Sequence, residues 1–307
     1  MLNPLVTIVG PTGSGKSTLA LRIAEAFDGE VVNCDSLQLY KGFDIGTAKI
    51  SESERRLIPH HMIDVLDPRQ GYSAGDYARN ARTAIAGISA RGRLPVIAGG
   101  TGFYLRALLN GLPQLPGRDE TLRSKLAAKE ARRPGHLHRL LSRLDPAAAA
   151  RMHARDTQKV IRALEIRILT HRSSPPSSAS QPLAGYRTLK LGLNPDRAQL
   201  YQALDARTAE MFRRGLVEEV RSLLAAGCGG DEKPFESLGY KQALAHIRGS
   251  MTMDEAVVST QIETRQYAKR QWTWFRRDAE IFWLPGFGQS PSTIEQCVDL
   301  VRSYVGQ

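Results

Sequence analysis

A glycine-rich segment near the start of the chain constrains the fold more than any other feature. It comprises, in order, Gly10, Pro11, Thr12, Gly13, Ser14, Gly15, Lys16 and Ser17. This spacing fits the pattern G-x-x-x-x-G-K-[ST], which binds phosphate groups when it joins a buried strand to a helix. An apolar run, Leu5–Val9, precedes it, and Leu19, Ile23 and Phe27 follow at helical spacing. The segment therefore predicts a phosphate-binding loop.

The chemistry of such a loop predicts an anionic ligand together with Mg²⁺. Glycines allow successive backbone N–H groups to point at one anion, and the following helix adds the partial positive charge of its N-terminus. Lys16 is predicted to reach the terminal phosphate oxygens, and the Ser17 hydroxyl is predicted to bind the metal ion. The loop identifies a phosphate chain but not a reaction, so a nucleotide kinase or an NTPase stays open at this point.

Apolar runs alternate with helical patterns along most of the chain. The predicted strands are Leu5–Val9, Val31–Cys34, Leu94–Ala98, Thr188–Leu193 and Ile281–Leu284. The predicted helices are Ser17–Phe27, Asp76–Arg91, and stretches within 196–226 and 253–277. This alternation indicates an α/β fold with a parallel sheet covered on both faces, in which ligands gather at the carboxyl ends of the strands.

The pattern changes to helices alone between about 119 and 172. We therefore predict a core formed by 1–115 and 187–307, with a helical insertion at 116–186. A run of serines and prolines at 173–178 predicts a linker or mobile loop.

Asp35 is the only acidic residue that closes a predicted strand. A Walker B strand, which is an apolar run ending in Asp, is missing, because the third strand leads into Gly99 and Gly100. The missing Walker B strand argues against an NTPase. A small-molecule kinase that uses Asp35 as a base stays open as an interpretation.

Composition excludes several classes of protein. The chain has 307 residues and is 42% hydrophobic, which is ample for a core. No stretch approaches the roughly 20 apolar residues of a membrane helix, and nothing resembles a signal peptide. The three cysteines, Cys34, Cys228 and Cys297, form no CxxC pair, so we expect reduced thiols in the cytoplasm.

The net charge of +11 suggests a polyanionic partner. Residues 118–172 contain 14 Lys or Arg and 6 Asp or Glu, a local net charge of +8, although a solvated helical surface explains this equally well. Residues 264–277 carry five basic residues and no acid, interleaved with Tyr267, Trp272, Trp274 and Phe275. Basic and aromatic side chains in this mixture are suited to the unstacked bases of an RNA loop.

Several motifs, in order and over almost the whole chain, resemble the tRNA dimethylallyltransferase family. They are the phosphate loop, Asp35–Tyr40 (DSLQLY), Asp44–Lys49 (DIGTAK), Pro59–Asp64 (PHHMID), Gly99–Tyr104 (GGTGFY), Asp156–Glu165 (DTQKVIRALE), Leu238–Gln242 (LGYKQ) and Thr264–Arg276 (TRQYAKRQWTWFR). The resemblance implies a nucleoside-kinase-like core with a phosphate loop and a helical insertion, and transfer of a dimethylallyl group from its diphosphate to the exocyclic amine of the adenosine just 3′ of the anticodon.

The resemblance also implies roles for individual residues. Asp35 is expected to be the base, Lys16 and Arg207 to contact the diphosphate, and Thr101 to lie beside the target base. The expected tRNA contacts are Asp35, Ser36, Leu37, Gln38, Thr101, Arg123, Lys159, Val160, Ile161, Arg162, Ala163, Gly239, Tyr240, Lys241, Gln242, Lys269, Arg270, Gln271, Trp272, Thr273, Trp274, Phe275 and Arg276.

The expected partners are dimethylallyl diphosphate and the tRNA anticodon stem-loop, gripped by core and insertion, and we expect a monomer. A prenyl transferase acting on free AMP shares the loop but does not need the basic insertion. A non-catalytic RNA-binding protein does not need Lys16, Ser17 and Asp35 together.

Overall fold

A computed structural model describes residues 2–55, 58–113, 115–172 and 181–306. Two compact units are present, one formed by Met1–Leu109 with Leu183–Gln307 and the other by Asn110–Pro182. The predicted linker at 173–178 lies outside the described residues. In the described part of the chain, no helix is both long and apolar enough to cross a membrane.

The described strands and helices follow the predicted alternation. The strands are β1 (Asn3–Val9), β2 (Gly29–Asn33), β3 (His60–His61), β4 (Leu94–Ala98), β5 (Tyr186–Asn194) and β6 (Ile281–Pro285). The α-helices are α1 (Lys16–Ala26), α2 (Ala74–Ala90), α3 (Gly102–Asn110), α4 (Glu120–Arg132), α5 (His136–Leu144), α6 (Pro146–Ala150), α7 (Thr157–Thr170), α8 (Arg197–Arg213), α9 (Leu216–Ala225), α10 (Tyr240–Ile247), α11 (Met253–Phe275) and α12 (Pro291–Val305).

All six strands form one parallel sheet in the order β3-β2-β4-β1-β5-β6. The predicted α/β fold with a parallel sheet is thereby confirmed. The central strands are apolar because both of their faces are covered, and Val6, Ile8 and Val96 are fully buried beside Leu19 of α1 and Val301 of α12. Since β1, β2 and β4 are parallel, their carboxyl ends lie at one edge of the sheet, where the predicted site residues follow them.

Helix ends depart from the prediction where single residues decide the backbone. The stretch 196–226 is two helices, because Gly215 has a left-handed φ of 99° and begins α9 as its N-cap. Ser73 begins α2, since its hydroxyl accepts a hydrogen bond from the Asp76 N–H and the Asp76 carboxylate bonds back to the Ser73 N–H.

The second unit contains α4 to α7 around a separate apolar core. Leu126, Leu137, Leu141, Val160 and Leu164 are buried together in it. Its helices bury one apolar face each and leave most of the basic residues exposed, as in α4, of which only Leu126 is buried.

Candidate active site

The phosphate loop joins β1 to α1 and adopts a backbone that glycine makes possible. Gly13 and Gly15 have φ values of 77° and 86°, in the left-handed region that other residues rarely adopt. A Cβ on Gly10 would lie 2.9 Å from the carbonyl oxygen of Leu193, so this glycine also allows β5 to approach. The buried hydroxyl of Ser14 has no hydrogen-bond partner within the described ranges. The loop Gly10–Ser17, which we call the cradle, therefore has a backbone suited to an anion and contains a buried hydroxyl without a hydrogen-bond partner among the described residues.

Two cations lie at this cradle. The Lys16 ammonium donates a hydrogen bond to the carbonyl of Pro11 (2.7 Å), and Arg207 Nη2 donates one to Thr12 Oγ1 (2.8 Å). Burial lowers the pKa of Lys16 to about 8, with Asp35 raising it and Arg207 lowering it. Arg207 Nε is buried and, among the described residues, has no partner. An anion in the cradle would provide that missing acceptor.

Asp35 follows β2 and is held by a turn that Asn33 organises. Asn33 Oδ1 accepts a hydrogen bond from the Asp35 N–H (3.0 Å), while its Nδ2 donates to the carbonyls of Asp35 (3.1 Å) and Met62 (2.7 Å). Asp35 Oδ1 accepts one from the Leu37 N–H (2.9 Å), and its other oxygen accepts none within the described ranges. The Asp35 carboxylate interacts electrostatically with both Lys16 and Arg207. One carboxylate oxygen thus remains without a hydrogen-bond donor in the described part of the chain, within electrostatic reach of the two cations of the loop.

Thr101 follows β4 and joins the same constellation. Its Oγ1 accepts a hydrogen bond from the Ser36 N–H (3.1 Å) and lies 3.4 Å from Ser36 Oγ. Its own N–H donates to the carbonyl of Cys34 (3.1 Å). The predicted residues Asp35, Ser36 and Thr101 are therefore brought together at the strand ends.

Gln271 connects this edge of the sheet to the phosphate loop. Its Oε1 accepts a hydrogen bond from the Thr12 N–H (2.7 Å) and its Nε2 donates to the carbonyl of Gly100 (2.9 Å). Its side chain is buried, and a Cβ on Gly100 would lie 2.1 Å from Nε2. The sequence placed Gln271 only in a stretch of RNA contacts, since no local pattern reveals a bond between residues so far apart in sequence.

Replacing Gln271 by methionine is expected to loosen the phosphate loop. The change leaves the Thr12 N–H and the Gly100 carbonyl unpaired, which lowers the free energy of unfolding by about 2 kcal/mol. We expect the Kd for a phosphate-bearing ligand of the loop to rise as well. Denaturant unfolding and ligand-binding titrations would measure the two effects.

Gln261→Met is the matched control in the same helix. Gln261 makes one half-buried hydrogen bond, to the carbonyl of Asp205 (3.1 Å), so its loss should change stability little. Equal losses in the two variants would contradict a special role for Gln271.

The residues at the loop fit a magnesium ion that is bound together with phosphate. Ser17 is exposed at the first turn of α1, and the unpartnered Ser14 hydroxyl of the same loop is a further oxygen ligand. Within the described residues, no group of three or more His, Cys, Asp or Glu could hold a metal ion. This donor set suits Mg²⁺, which takes one or two protein oxygens and completes its shell with phosphate and water.

The predicted RNA contacts on α11 divide by helical face. The side chains of Gln271, Trp272 and Phe275 are buried. The exposed ones are Lys269, Arg270, Thr273, Trp274 and Arg276. The segment 239–242 divides similarly, since Tyr240 and Gln242 are buried and Lys241 is exposed. The Tyr240 hydroxyl donates to Glu219 and accepts from the Gly46 N–H (3.1 Å), which fixes the 44–46 loop.

In the second unit, Arg123 and Arg162 share one buried carboxylate. Arg123 Nη1 lies 3.1 Å from Glu165 Oε2, which also accepts from Arg162 Nη1. The Glu165 side chain is fully buried, and that of Arg123 is 14% exposed. Of the stretch 159–163, Lys159 is exposed and the three apolar residues Val160, Ile161 and Ala163 are buried. Lys159 is thus the most accessible cation of this stretch.

Comparison with known proteins identifies the family of this chain. The family model described as IPP transferase matches residues 38–278. A protein of Solibacter usitatus named tRNA dimethylallyltransferase is 60% identical, over 99% of this chain and all of the relative. One of the same name from Koribacter versatilis is 46% identical, again over 99% of this chain and all of the relative.

Solved structures similar to this chain are of proteins with related names. The tRNA isopentenylpyrophosphate transferase of Bacillus halodurans is 35% identical, with a TM-score of 0.73, over 99% of this chain and 97% of that protein. A eukaryotic dimethylallyltransferase acting on tRNA is 26% identical, with a TM-score of 0.83, over 99% of this chain and 80% of the other. The resemblance found in the sequence motifs is thereby confirmed.

Proposed function

Because this chain belongs to the tRNA dimethylallyltransferase family, we propose that it moves a dimethylallyl group from dimethylallyl diphosphate to the exocyclic N6 amine of the adenosine just 3′ of the tRNA anticodon. One observation carries the proposal. The Asp35 carboxylate, with one free oxygen, is close enough to the two cations of the glycine-rich loop to interact with them electrostatically. A proton acceptor and a diphosphate site therefore meet at one place.

The donor's diphosphate is proposed to lie in the loop used by kinases for ATP. Lys16, Arg207 and the loop N–H groups neutralise its oxygens, including the negative charge that grows as the leaving group departs. The unpartnered Nε of Arg207 supports this placement. Gln271 holds the loop against the end of β4, because its side chain bonds to both Thr12 and Gly100.

The acceptor amine is weakly nucleophilic, because its lone pair is delocalised into the adenine ring. As nitrogen forms its bond to the allylic carbon, the carbon–oxygen bond to diphosphate breaks, and the amine must lose a proton. Asp35 takes that proton, in the manner of a general base. Thr101 and Ser36, joined by their hydrogen bonds, position the base of the flipped-out adenosine next to Asp35.

Mg²⁺ is proposed to be held by Ser17, with Ser14 and Asp35 as nearby oxygen donors, and it would supply further positive charge for the departing diphosphate. We propose that the chain acts as a monomer. We propose that it acts in the cytoplasm, in keeping with its tRNA substrate.

A transfer assay with three acceptor conditions tests the proposed substrate. Protein, Mg²⁺ and dimethylallyl diphosphate labelled in the prenyl group are incubated with unmodified tRNA, with AMP or with neither. We expect label in tRNA alone. Label in AMP would instead indicate a transferase acting on the free nucleotide, and no label with either acceptor would overturn the proposal.

The basic helices of the second unit are proposed to contact the phosphates of the anticodon stem. Lys125 and Lys129 of α4 are exposed and have no ion-pair partner among the described residues. Replacing both by glutamine should weaken tRNA binding and lower the slope of log Kd against log salt by roughly 1.4 to 1.8, at 0.7 to 0.9 per lost phosphate contact. Binding measured from low to high salt would show this.

Arg22→Gln with Arg302→Gln, on α1 and α12, removes the same net charge elsewhere and serves as the control. The salt slope of this control is expected to match that of the wild type. If both double variants change the slope equally, the second unit has no special place in the RNA footprint.

A further inference from the structure

An arginine that follows Thr101 closely in the sequence lies over two exposed aromatic rings. The Arg106 guanidinium is 5.2 Å from the centre of the Phe103 ring and 5.5 Å from that of Trp274. Phe103 is 44% exposed and Trp274 is 38% exposed. We refer to Phe103, Arg106 and Trp274 as the aromatic stack.

The position of Trp274 depends on the absence of a side chain at residue 102. A Cβ on Gly102 would lie 2.1 Å from Nε1 of the indole. Gly102 is the first residue of α3. The glycine thus leaves room for the indole beside the start of α3, so the stack is a built feature of the surface.

Folding alone gives little reason for this arrangement. Arg106 has no carboxylate partner within the described ranges, and it is exposed together with both rings. Flat apolar faces and an unpaired guanidinium are what single-stranded RNA bases stack on, and such stacking needs no particular base. The chemistry of the stack therefore fits an unpaired nucleobase.

The location of the aromatic stack indicates which base it would bind. Phe103 is two residues from Thr101, whose hydroxyl is bonded to Ser36, the neighbour of Asp35. The stack therefore begins two residues after Thr101, next to which the reacting adenosine is proposed to bind. We propose that the aromatic stack binds an unpaired base of the anticodon loop and holds the loop open. This base is adjacent to the reacting adenosine, so the inference rests on the proposed function.

The test combines protein variants with abasic RNA. Binding of a fluorescent anticodon stem-loop is measured without donor, using RNAs that each lack one loop base other than the reacting adenosine. For the wild type, we expect removal of one adjacent base to weaken binding about tenfold. In Trp274→Ala and Arg106→Ala the same removal should have almost no effect, because the stacking partner is already gone.

Three further variants sharpen the test. Trp274→Phe retains an aromatic face and should keep most of the sensitivity to base removal. Gly102→Ala removes no group of the stack but displaces the indole, so sensitivity should fall. Arg187→Ala, which deletes an arginine stacked on Tyr304 (4.3 Å) at the amino end of β5, should behave as the wild type. Thermal melting checks that each variant is folded.

If base removal weakens binding equally in the wild type and in the Trp274 and Arg106 variants, the proposal is overturned and the surface serves another partner, such as a protein. Binding here needs no donor and no transfer. A stack-dependent response in a chain that transfers no prenyl group would therefore contradict the proposed function and leave the stack proposal standing.

Discussion

Asp35→Asn is expected to lower kcat for prenyl transfer by about 10²- to 10⁴-fold, the usual contribution of a positioned general base. An amide oxygen can still accept the hydrogen bond from the Leu37 N–H, so the turn that Asn33 organises should persist. The amide cannot take the proton that the adenine amine must lose. We therefore expect the Kd for tRNA to change little while turnover collapses.

Single-turnover kinetics and tRNA binding, measured on the same protein, separate these effects. Asp299→Asn on α12 makes the same chemical change on an exposed side chain and should leave both quantities unchanged. A variant at Asp35 that loses RNA binding but turns over normally would show that the carboxylate is not the base.

Lys16→Met is expected to have the second large effect. It removes one half-buried cation from the cradle, and loss of a comparable charge-stabilising group in other enzymes lowers the rate by about 10²- to 10³-fold. Both donor affinity and kcat should fall, since the ammonium neutralises the diphosphate before and during its departure. Binding of tRNA in the absence of donor should not change.

The pH dependence gives an independent signature of Lys16. Because burial lowers its pKa to about 8, the ammonium is present below that pH in the free protein and is lost above it. Donor affinity in the wild type should therefore be flat up to about pH 8, and then fall by up to about tenfold per pH unit. Lys16→Met should lack this decline, and an identical decline in the variant would assign it to another group.

The sheet could be predicted from the sequence because its strands are buried on both faces. Such strands read as uninterrupted apolar runs, and the predicted Leu94–Ala98 coincides with β4. The two-residue β3 is too short to show any periodicity. The break at Gly215 divides a helical pattern whose apolar spacing continues on both sides of it.

The phosphate loop and Asp35 were also accessible from sequence, since each depends on residues that are close together in the chain. The contacts that hold them were not. Gln271 reaches Thr12 and Gly100 across most of the chain, and Tyr240, expected among the RNA contacts, is turned inward to Glu219. Long-range pairing of this kind depends on the tertiary fold and leaves no local pattern.

In the proposed function, a phosphate loop of the kinase type serves alkyl transfer. Kinases of this type and this chain would both bind phosphate groups with a glycine-rich loop and its lysine, which is Lys16 here. They would differ in which bond breaks. In a kinase the bond between phosphorus and oxygen breaks, whereas here the bond between the allylic carbon and oxygen breaks.

A comparison of two donors distinguishes alkyl transfer from phosphoryl transfer. Unmodified tRNA and Mg²⁺ are incubated with the protein and either dimethylallyl diphosphate labelled in the prenyl group or ATP labelled at its γ-phosphate, and the tRNA is then digested to nucleosides. We predict prenyl label on the adenosine just 3′ of the anticodon and no phosphate label on any product. Phosphate label from ATP on an acceptor, with no prenyl label on the tRNA, would contradict the assignment of this site to prenyl transfer.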